Sequence, residues 1–187
     1  MNALGTGKRL AVNLVGLGAA LVAGGCGAEG DRAVPQDGDR QAAGGATADQ
    51  AAFDRQNVFG KGEPNAAYAK YFVGNSYLKA ITDRESGFPM ANVTFEPGCR
   101  NNWHVHRAAK GGGQVLIVTA GSGWYQLEGK PAVSLNPGDA VVIPANVKHW
   151  HGAKKDSWFS HIAFEVPGEG MSNEWLEPVS DEEYAKL

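Results

Sequence analysis

Beyond Phe53 the chain alternates between short apolar runs, rich in valine, isoleucine and aromatic residues, and clusters of glycine, proline and asparagine. Short apolar runs bounded by turn residues are typical of β-strands. Strands are therefore predicted over residues 77–82, 90–95, 102–106, 114–120, 123–127, 132–135, 140–143, 149–151 and 159–166. Many short strands at regular spacing predict an all-β fold, either a sandwich or a small barrel.

Turn residues separate these strands, and only one segment has a helical pattern. Proline and glycine stand together at Pro97-Gly98 and Pro137-Gly138, where the chain is expected to reverse. Residues 180–184 predict a short C-terminal helix, with Ser180 as N-cap and Glu183 in the capping-box position. No internal repeat and no second domain are indicated, so one domain is predicted over residues 53–187.

The first 25 residues have the pattern of a secretory signal peptide. Lys8 and Arg9 precede an apolar stretch over residues 10–25, which is shorter than the roughly 20 residues that span a bilayer. Residues 21–26 resemble a bacterial lipobox, with Ala23 in place of the usual leucine, and this implies that Cys26 is lipidated. The protein is therefore expected to be exported and anchored by lipid in the periplasm, with ordinary signal cleavage or an uncleaved anchor as alternatives.

Residues 26–52 are predicted to form a flexible tether. They are rich in glycine, alanine, aspartate and glutamine and contain no apolar side chain larger than Val34. Such a composition buries too little apolar surface to offset the entropy of ordering. If Cys26 carries lipid, Cys99 has no partner for a disulfide, and we expect it to be a small buried residue.

Net charge argues against one class of partner. The formal charge of −3 and the pI of about 5.9 give no basic surface for nucleic acid. We therefore expect no nucleic-acid partner.

The five histidines are the main candidates for chemistry, and all lie between His104 and His161. His104 and His106 are two residues apart, as are His149 and His151, so each pair would lie on one face of a strand. Neutral imidazole is a common ligand of Zn, Mn, Fe, Ni and Cu. Two such pairs and a fifth histidine predict a metal site rather than scattered structural histidines.

These histidines lie in a pattern that resembles the two motifs of the cupins. Five residues separate Gly98 from the first histidine pair, and six separate Gln114 from Gly121, which matches the first motif with glutamine in place of glutamate. The second motif is matched by Gly138, Pro144 and His149, while Asn146 and Ala153 depart from it. Seven residues separate His106 from Gln114, whereas the motif has three or four at this place.

The resemblance covers roughly residues 77–166 and implies a double-stranded β-helix barrel with a metal in its mouth. Residues 93–98, 116–124 and 149–153 resemble those of cupins that accompany carboxymuconolactone decarboxylases, and manganese-dependent cupin hydroxynitrile lyases are similar. Their ligand set implies a divalent metal, manganese before Fe, Zn, Ni or Cu, on His104, His106, Gln114 and His149. Their pocket histidines correspond to His151 and His161. Cupins commonly pair, which implies a homodimer.

The resemblance leaves the reaction open. Asn101 stands where those lyases have a pocket threonine, so a role for Asn101 in substrate binding is expected but the hydroxynitrile reaction itself is not. Arg107 and Lys110, in the insertion after the first histidine pair, are either cations that bind substrate or parts of a solvated turn.

An uncharged set of ligands would leave a divalent metal its full charge and supply no base, so the base is expected to be His161 with His151 beside it. This predicts a lyase or isomerase acting on a small molecule. The alternatives are a metal-dependent dioxygenase and a non-catalytic envelope protein that binds a metal or small ligand.

Overall fold

The computed structural model describes residues 48–83 and 85–187. The predicted signal peptide, Cys26 and most of the predicted tether lie outside the described residues. The strands are β1 Glu63–Pro64, β2 Phe72–Val73, β3 Ser76–Thr82, β4 Met90–Phe95, β5 Arg100–Asn101, β6 His104–Arg107, β7 Lys110–Gly111, β8 Gly113–Gly121, β9 Gly123–Leu127, β10 Val133–Leu135, β11 Ala140–Pro144, β12 His149–Ala153, β13 Phe159–Glu165, β14 Gly168–Glu169 and β15 Ser172–Trp175. The helices are α1 Ala48–Gln56, a 3₁₀ helix Ala66–Tyr71 and α2 Asp181–Tyr184.

Two antiparallel sheets form the barrel. The first has the order β1-β3-β4-β13-β8-β11. The second has the order β10-β9-β12-β5-β2, with β6 paired to β12 and β15 paired to β6. A ribbon of β7 and β14 lies apart from both sheets in the pairing pattern. The predicted all-β barrel fold is confirmed, and each of the nine predicted strands overlaps an observed one.

The core lies between the two sheets because alternate side chains of each strand point inward. Val93 and Phe95 of β4 and Phe159 of β13 meet Leu135 and Ala153 of the second sheet. Phe95 and Phe159 are fully buried. Cys99 belongs to the same cluster and is a free, buried cysteine, as expected.

The glycine at the end of β8 allows the chain there to approach the segment just before β13 closely. Gly121 has a φ of 69°, and a Cβ built there would lie 1.8 Å from the carbonyl oxygen of Trp158. No side chain fits in that space, which explains why the motif has glycine here. Gly138, by contrast, has a φ of 94° but open space around it, so backbone conformation alone favours glycine there.

The sequence predicted a single helix, at the C-terminus, and this prediction is wrong because further helices are observed. α2 forms as expected, with the backbone N–H of Glu183 donating to Ser180 Oγ. However, α1 begins at Ala48, inside the stretch predicted to be a flexible tether and before the boundary predicted at Phe53. Phe53 explains this helix, because its ring is buried and stacks on Trp158 at 5.5 Å between centroids. Within residues 48–83 and 85–187, no helix is long and apolar enough to cross a bilayer.

Candidate metal centre

Three histidines meet inside the barrel because they lie on two paired strands of the second sheet, β6 and β12. His104 lies opposite His149 in the pairing of β6 with β12, and His106 is two residues further along β6 on the same face. The candidate ligand atoms of the three rings all lie within 4.8 Å of one another. All three histidines are buried, so the three rings form one compact cluster of nitrogen ligands.

Two of these rings are oriented by the backbone. Nδ1 of His104 lies 2.9 Å from the carbonyl oxygen of Asn102, and Nδ1 of His149 lies 2.9 Å from that of Val147. A carbonyl oxygen only accepts, so each Nδ1 carries the hydrogen and each Nε2 keeps its lone pair. The second nitrogen of a metal-binding histidine is commonly held in this way.

His106 is oriented by a carboxylate instead. Its Nδ1 lies 3.4 Å from Glu165 Oε1, within ion-pair distance but without hydrogen-bond geometry. Both ring nitrogens of His106 lack a hydrogen-bond partner among the described residues, although the residue is buried. An unpaired buried nitrogen is costly, and a metal ion on Nε2 would satisfy it. The neighbouring ring of His106, followed by the amide of Asn173, holds the pKa of Glu165 below its usual value.

Gln114 joins the three histidines despite the insertion that precedes it. It is buried at the start of β8, and its Oε1 lies 3.3 Å from Nε2 of His149. Since Nδ1 of His149 carries the hydrogen, two acceptor atoms face each other across this distance. A cation between them would turn that repulsive contact into a favourable one. Coordination by Gln114 stays a prediction, but the structure places the amide where a ligand is needed.

The donor set fits a metal ion. Three imidazole nitrogens and one amide oxygen are suitable ligands for a divalent first-row transition metal. The orphaned nitrogens of His106 and the facing acceptors of His149 and Gln114 are the structural features that such an ion would satisfy. The three histidines are therefore positioned to bind a metal ion.

His151 and His161 form a second, adjoining pair. His151 Nδ1 lies 3.1 Å from His161 Nε2, and one of these nitrogens donates to the other. The ring of His151 lies 5.5 Å from the ring of His104 between centroids, and 4.7 Å from that of His161. His151 thus lies between the metal-binding cluster and His161, whose other ring contacts are with Phe95 and Phe159.

Burial keeps the rings of His151 and His161 in the uncharged form. Burial lowers the pKa of His161 to about 4, and burial followed by the charges of neighbouring histidines lowers the pKa of His151 well below its usual value. Removing an imidazolium from water is unfavourable, and this cost depends on depth, which the sequence does not reveal. Both rings are therefore uncharged at neutral pH.

Asn101 is buried and hydrogen-bonded to His151. It is 2% exposed, and its Oδ1 accepts the backbone N–H of His151 at 2.9 Å. With its oxygen so fixed, its Nδ2 lies 3.0 and 3.3 Å from the two ring nitrogens of His151. Asn101 thereby orients this ring, and its role in substrate binding stays a prediction.

The two cations of the insertion lie at the surface. Arg107 is half-exposed and pairs with Glu174 of β15 at 2.7 Å, so its charge is already balanced. The side chain of Lys110 is 80% exposed and lies 3.8 Å from Glu169 across the β7–β14 ribbon. The structure brings neither into contact with the histidines, and a role in binding substrate stays a prediction for both.

Two residues of the site were missed in the sequence. Glu165 lies four residues after His161 on β13, so the period of two would have placed it on the same face. Trp175 stacks on His104 at 4.7 Å between centroids, because β15 pairs with β6 and sets these two residues opposite each other. The polar sequence of β15 gave no signal for that strand.

A β-barrel with a cluster of buried histidines is typical of the cupins, and comparison of the chain with known proteins gives the same class. Residues 91–160 match the family model described as a cupin domain. The chain is 45% identical over 96 residues to an (R)-mandelonitrile lyase of Granulicella tundricola, covering 51% of this chain and 70% of the relative. It is 42% identical to the crystal structure of a cupin-like protein of Thermotoga maritima, with a TM-score of 0.60, covering 69% of this chain and 95% of that one. The chain belongs to the cupin family.

The buried, uncharged histidines predict how the stability of the metal-free protein depends on pH. His149 and His161 have a pKa of about 4 when folded, against an ordinary value of 6.5. Between these values the unfolded chain binds more protons, so the free energy of unfolding falls as the pH falls. We expect a loss of about 1.4 kcal/mol per pH unit for each such histidine. Urea unfolding at pH 7, 6 and 5 measures this, and a flat stability over that range would contradict it.

The contact with Glu165 predicts a role in metal binding. The variant Glu165→Gln removes the negative charge behind His106, and we expect it to weaken the binding of Zn²⁺ about 10-fold or more. Competition with a chelating dye measures the dissociation constant. Glu174→Gln is the matched control, since it removes a nearby carboxylate that pairs with Arg107 instead of His106. Equal affinities in the two variants would contradict the prediction.

Proposed function

We propose that this cupin is a metal-dependent lyase or isomerase that acts on a small molecule and uses His161, paired with His151, as its base. The observation that carries the proposal is the buried pair of uncharged imidazoles beside the three-histidine cluster. A second support is the similarity to a protein named (R)-mandelonitrile lyase, of which the chain covers 70%.

The metal would be held by His104, His106, His149 and Gln114, and manganese is the ion that the similar lyases suggest. When bound, a divalent ion supplies a Lewis acid that polarises a carbonyl or hydroxyl oxygen. Glu165 and the carbonyl groups of Asn102 and Val147 would keep the histidine rings in place. These contacts leave the Nε2 atoms of His104 and His149 free at neutral pH, as coordination requires.

His151 and His161 would hold the transferred proton between them. Nδ1 of His151 and Nε2 of His161 already share one hydrogen across 3.1 Å, so a proton accepted by one ring is stabilised by the other. The lowered pKa of His161 keeps its ring able to accept at neutral pH but makes it a weak base. Such a base suits a proton of raised acidity, such as that of a hydroxyl group or of a carbon next to a carbonyl.

The walls around the pair favour a compact, largely apolar substrate. Phe95 lies 5.8 Å from His151 and 5.5 Å from His161 between ring centroids, and Trp175 covers His104. Aromatic rings exclude water and leave few polar partners for a substrate beyond the histidines. We therefore propose a small carbonyl or hydroxyl compound, and the (R)-hydroxynitrile of an aromatic aldehyde is the first to assay.

The variant His161→Ala tests this function. We expect kcat for the cleavage of mandelonitrile, or of the substrate found in a panel of small hydroxy and carbonyl compounds, to fall at least about 100-fold, since the shared proton loses its second nitrogen. Bound manganese should be unchanged, as measured by elemental analysis. Ile162→Ala is the matched control, because it removes side-chain atoms on the opposite face of the same strand and keeps the imidazole.

Three results would contradict the proposal. Loss of the metal in His161→Ala would move His161 into the ligand set. Oxygen consumption with aromatic diols or diketones, after loading with iron or copper, would favour a dioxygenase. Full occupancy by zinc with no turnover across the panel would favour a non-catalytic binding protein.

We also propose that the protein is lipid-anchored at Cys26 in the periplasm and forms a homodimer. The first rests on Lys8, Arg9 and the apolar stretch that follows, and the second on β11, a terminal strand of its sheet whose Val142 is 70% exposed. Radiolabelled palmitate should enter the wild type but not Cys26→Ser, and sedimentation in detergent should give the mass of two chains. Label in Cys26→Ser would refute the anchor, and a monomer would refute the dimer.

A further inference from the structure

A second cluster of buried polar side chains lies on the outer face of the first sheet, opposite the core. Val93 and Phe95 of β4 point inward, so Asn92 and Thr94 point outward. Asn92, Thr94 and Ser160 of β13 are nonetheless fully buried. They are covered by residues 48–61, which comprise α1 and the turn that follows it, and which we term the strap.

The strap contributes two polar groups to this cluster. The Oδ1 of Asn57 accepts a hydrogen bond from Asn92 Nδ2 at 3.0 Å, and the carbonyl oxygen of Gly60 accepts another at 2.9 Å. The Nδ2 of Asn57 lies 3.4 Å from Thr94 Oγ1 and donates to it. Both hydrogens of the Asn92 amide are therefore used by the strap.

Two strands of the sheet satisfy the amide oxygen of Asn92. Its Oδ1 accepts from the hydroxyl of Ser160 at 3.0 Å and from that of Thr119 at 3.2 Å. The carboxamide thus makes all four of its hydrogen bonds, two to the strap and two to neighbouring strands. A network so fully satisfied fixes one arrangement of its members more strictly than apolar packing would.

Thr119 and Ser160 mark an irregularity in the sheet next to His161. In the pairing of β13 with β8, Ser160 lies opposite Ala120 but His161 lies opposite Val118, so Thr119 is an extra residue. A bulge of this kind changes the direction in which the adjoining side chain points. Asn92 therefore binds the hydroxyl of the bulged residue, Thr119, and that of Ser160 on the facing strand. His161 follows Ser160 directly in the chain.

We propose that Asn92 and the strap's Asn57 are positioning residues that hold the bulge and thereby aim His161 at His151. This inference rests on the proposed function of His161 for its effect on turnover, but not for its effect on geometry. It links the segment before the barrel to the histidine pair through hydrogen bonds on the opposite face of one sheet. None of the residues in the link touches the metal-binding histidines in the described contacts.

The test uses full-length chain loaded with Zn²⁺ and labelled with ¹⁵N-histidine. Asn57→Ala removes the strap's side chain, and Thr119→Val removes one hydroxyl while keeping the shape. We expect the imidazole ¹⁵N resonances of His151 and His161 to shift in both variants, while those of His104, His106 and His149 and the dissociation constant for Zn²⁺ stay unchanged. Thr119→Ser restores the hydroxyl and should restore the wild-type resonances.

Phe53→Leu is the matched control for loosening the strap, because Phe53 packs on Trp158 outside the network. It should leave the resonances of His151 and His161 in place. In the manganese-loaded protein we expect kcat to fall about 10-fold or more in Asn57→Ala and Thr119→Val with little change in KM, since a small displacement of a reacting group is costly.

Unchanged resonances of His161 in a folded Thr119→Val would overturn the proposal, as would equal shifts in Phe53→Leu or in Thr119→Ser. Shifted resonances without any turnover in the wild type would support the positioning role and count against the proposed enzyme function. The two failures are therefore distinguishable, and Thr119→Val decides the matter if Asn57→Ala does not fold.

Discussion

Burial of five imidazole rings inside one barrel is the constraint on which the rest of the structure depends. A ring removed from water must stay neutral and must find partners for its nitrogens. The barrel provides carbonyl groups for His104 and His149, a carboxylate for His106, an amide for His151 and a neighbouring ring for His161. The candidate ligand nitrogens of His104, His106 and His149 lie within 4.8 Å of one another, where a metal ion would complete the arrangement.

The same strands carry a different chemistry on each face. On the inner face β13 places His161 and Glu165, one beside His151 and the other beside His106. On its outer face Ser160 joins the polar network that the strap covers. Because successive side chains of a strand point to opposite faces, a change on the outside can reach the inside with only one peptide bond between them. The bulge at Thr119 lies opposite Ser160 and His161, where these two faces meet.

Much of this arrangement could be predicted from local pattern. The period of two predicted that His104 and His106 share one strand face, and that His149 and His151 share another. The spacing between Gln114 and Gly121 predicted that Gln114 belongs to the site, despite the insertion before it. What the sequence could not supply depends on contacts between distant segments. Trp175 reaches His104 through a strand of polar sequence, and α1 forms because Phe53 packs on Trp158. The neutral state of His161 depends on depth, which no local pattern encodes.

The metal content of the protein purified from its source organism tests whether the histidine cluster holds a metal ion. Elemental analysis combined with X-ray absorption should find a single divalent transition metal per chain, surrounded by nitrogen and oxygen ligands and lost in His149→Ala. Protein that contains no metal, and binds none when manganese, iron, zinc, nickel or copper is supplied at neutral pH, would contradict the account.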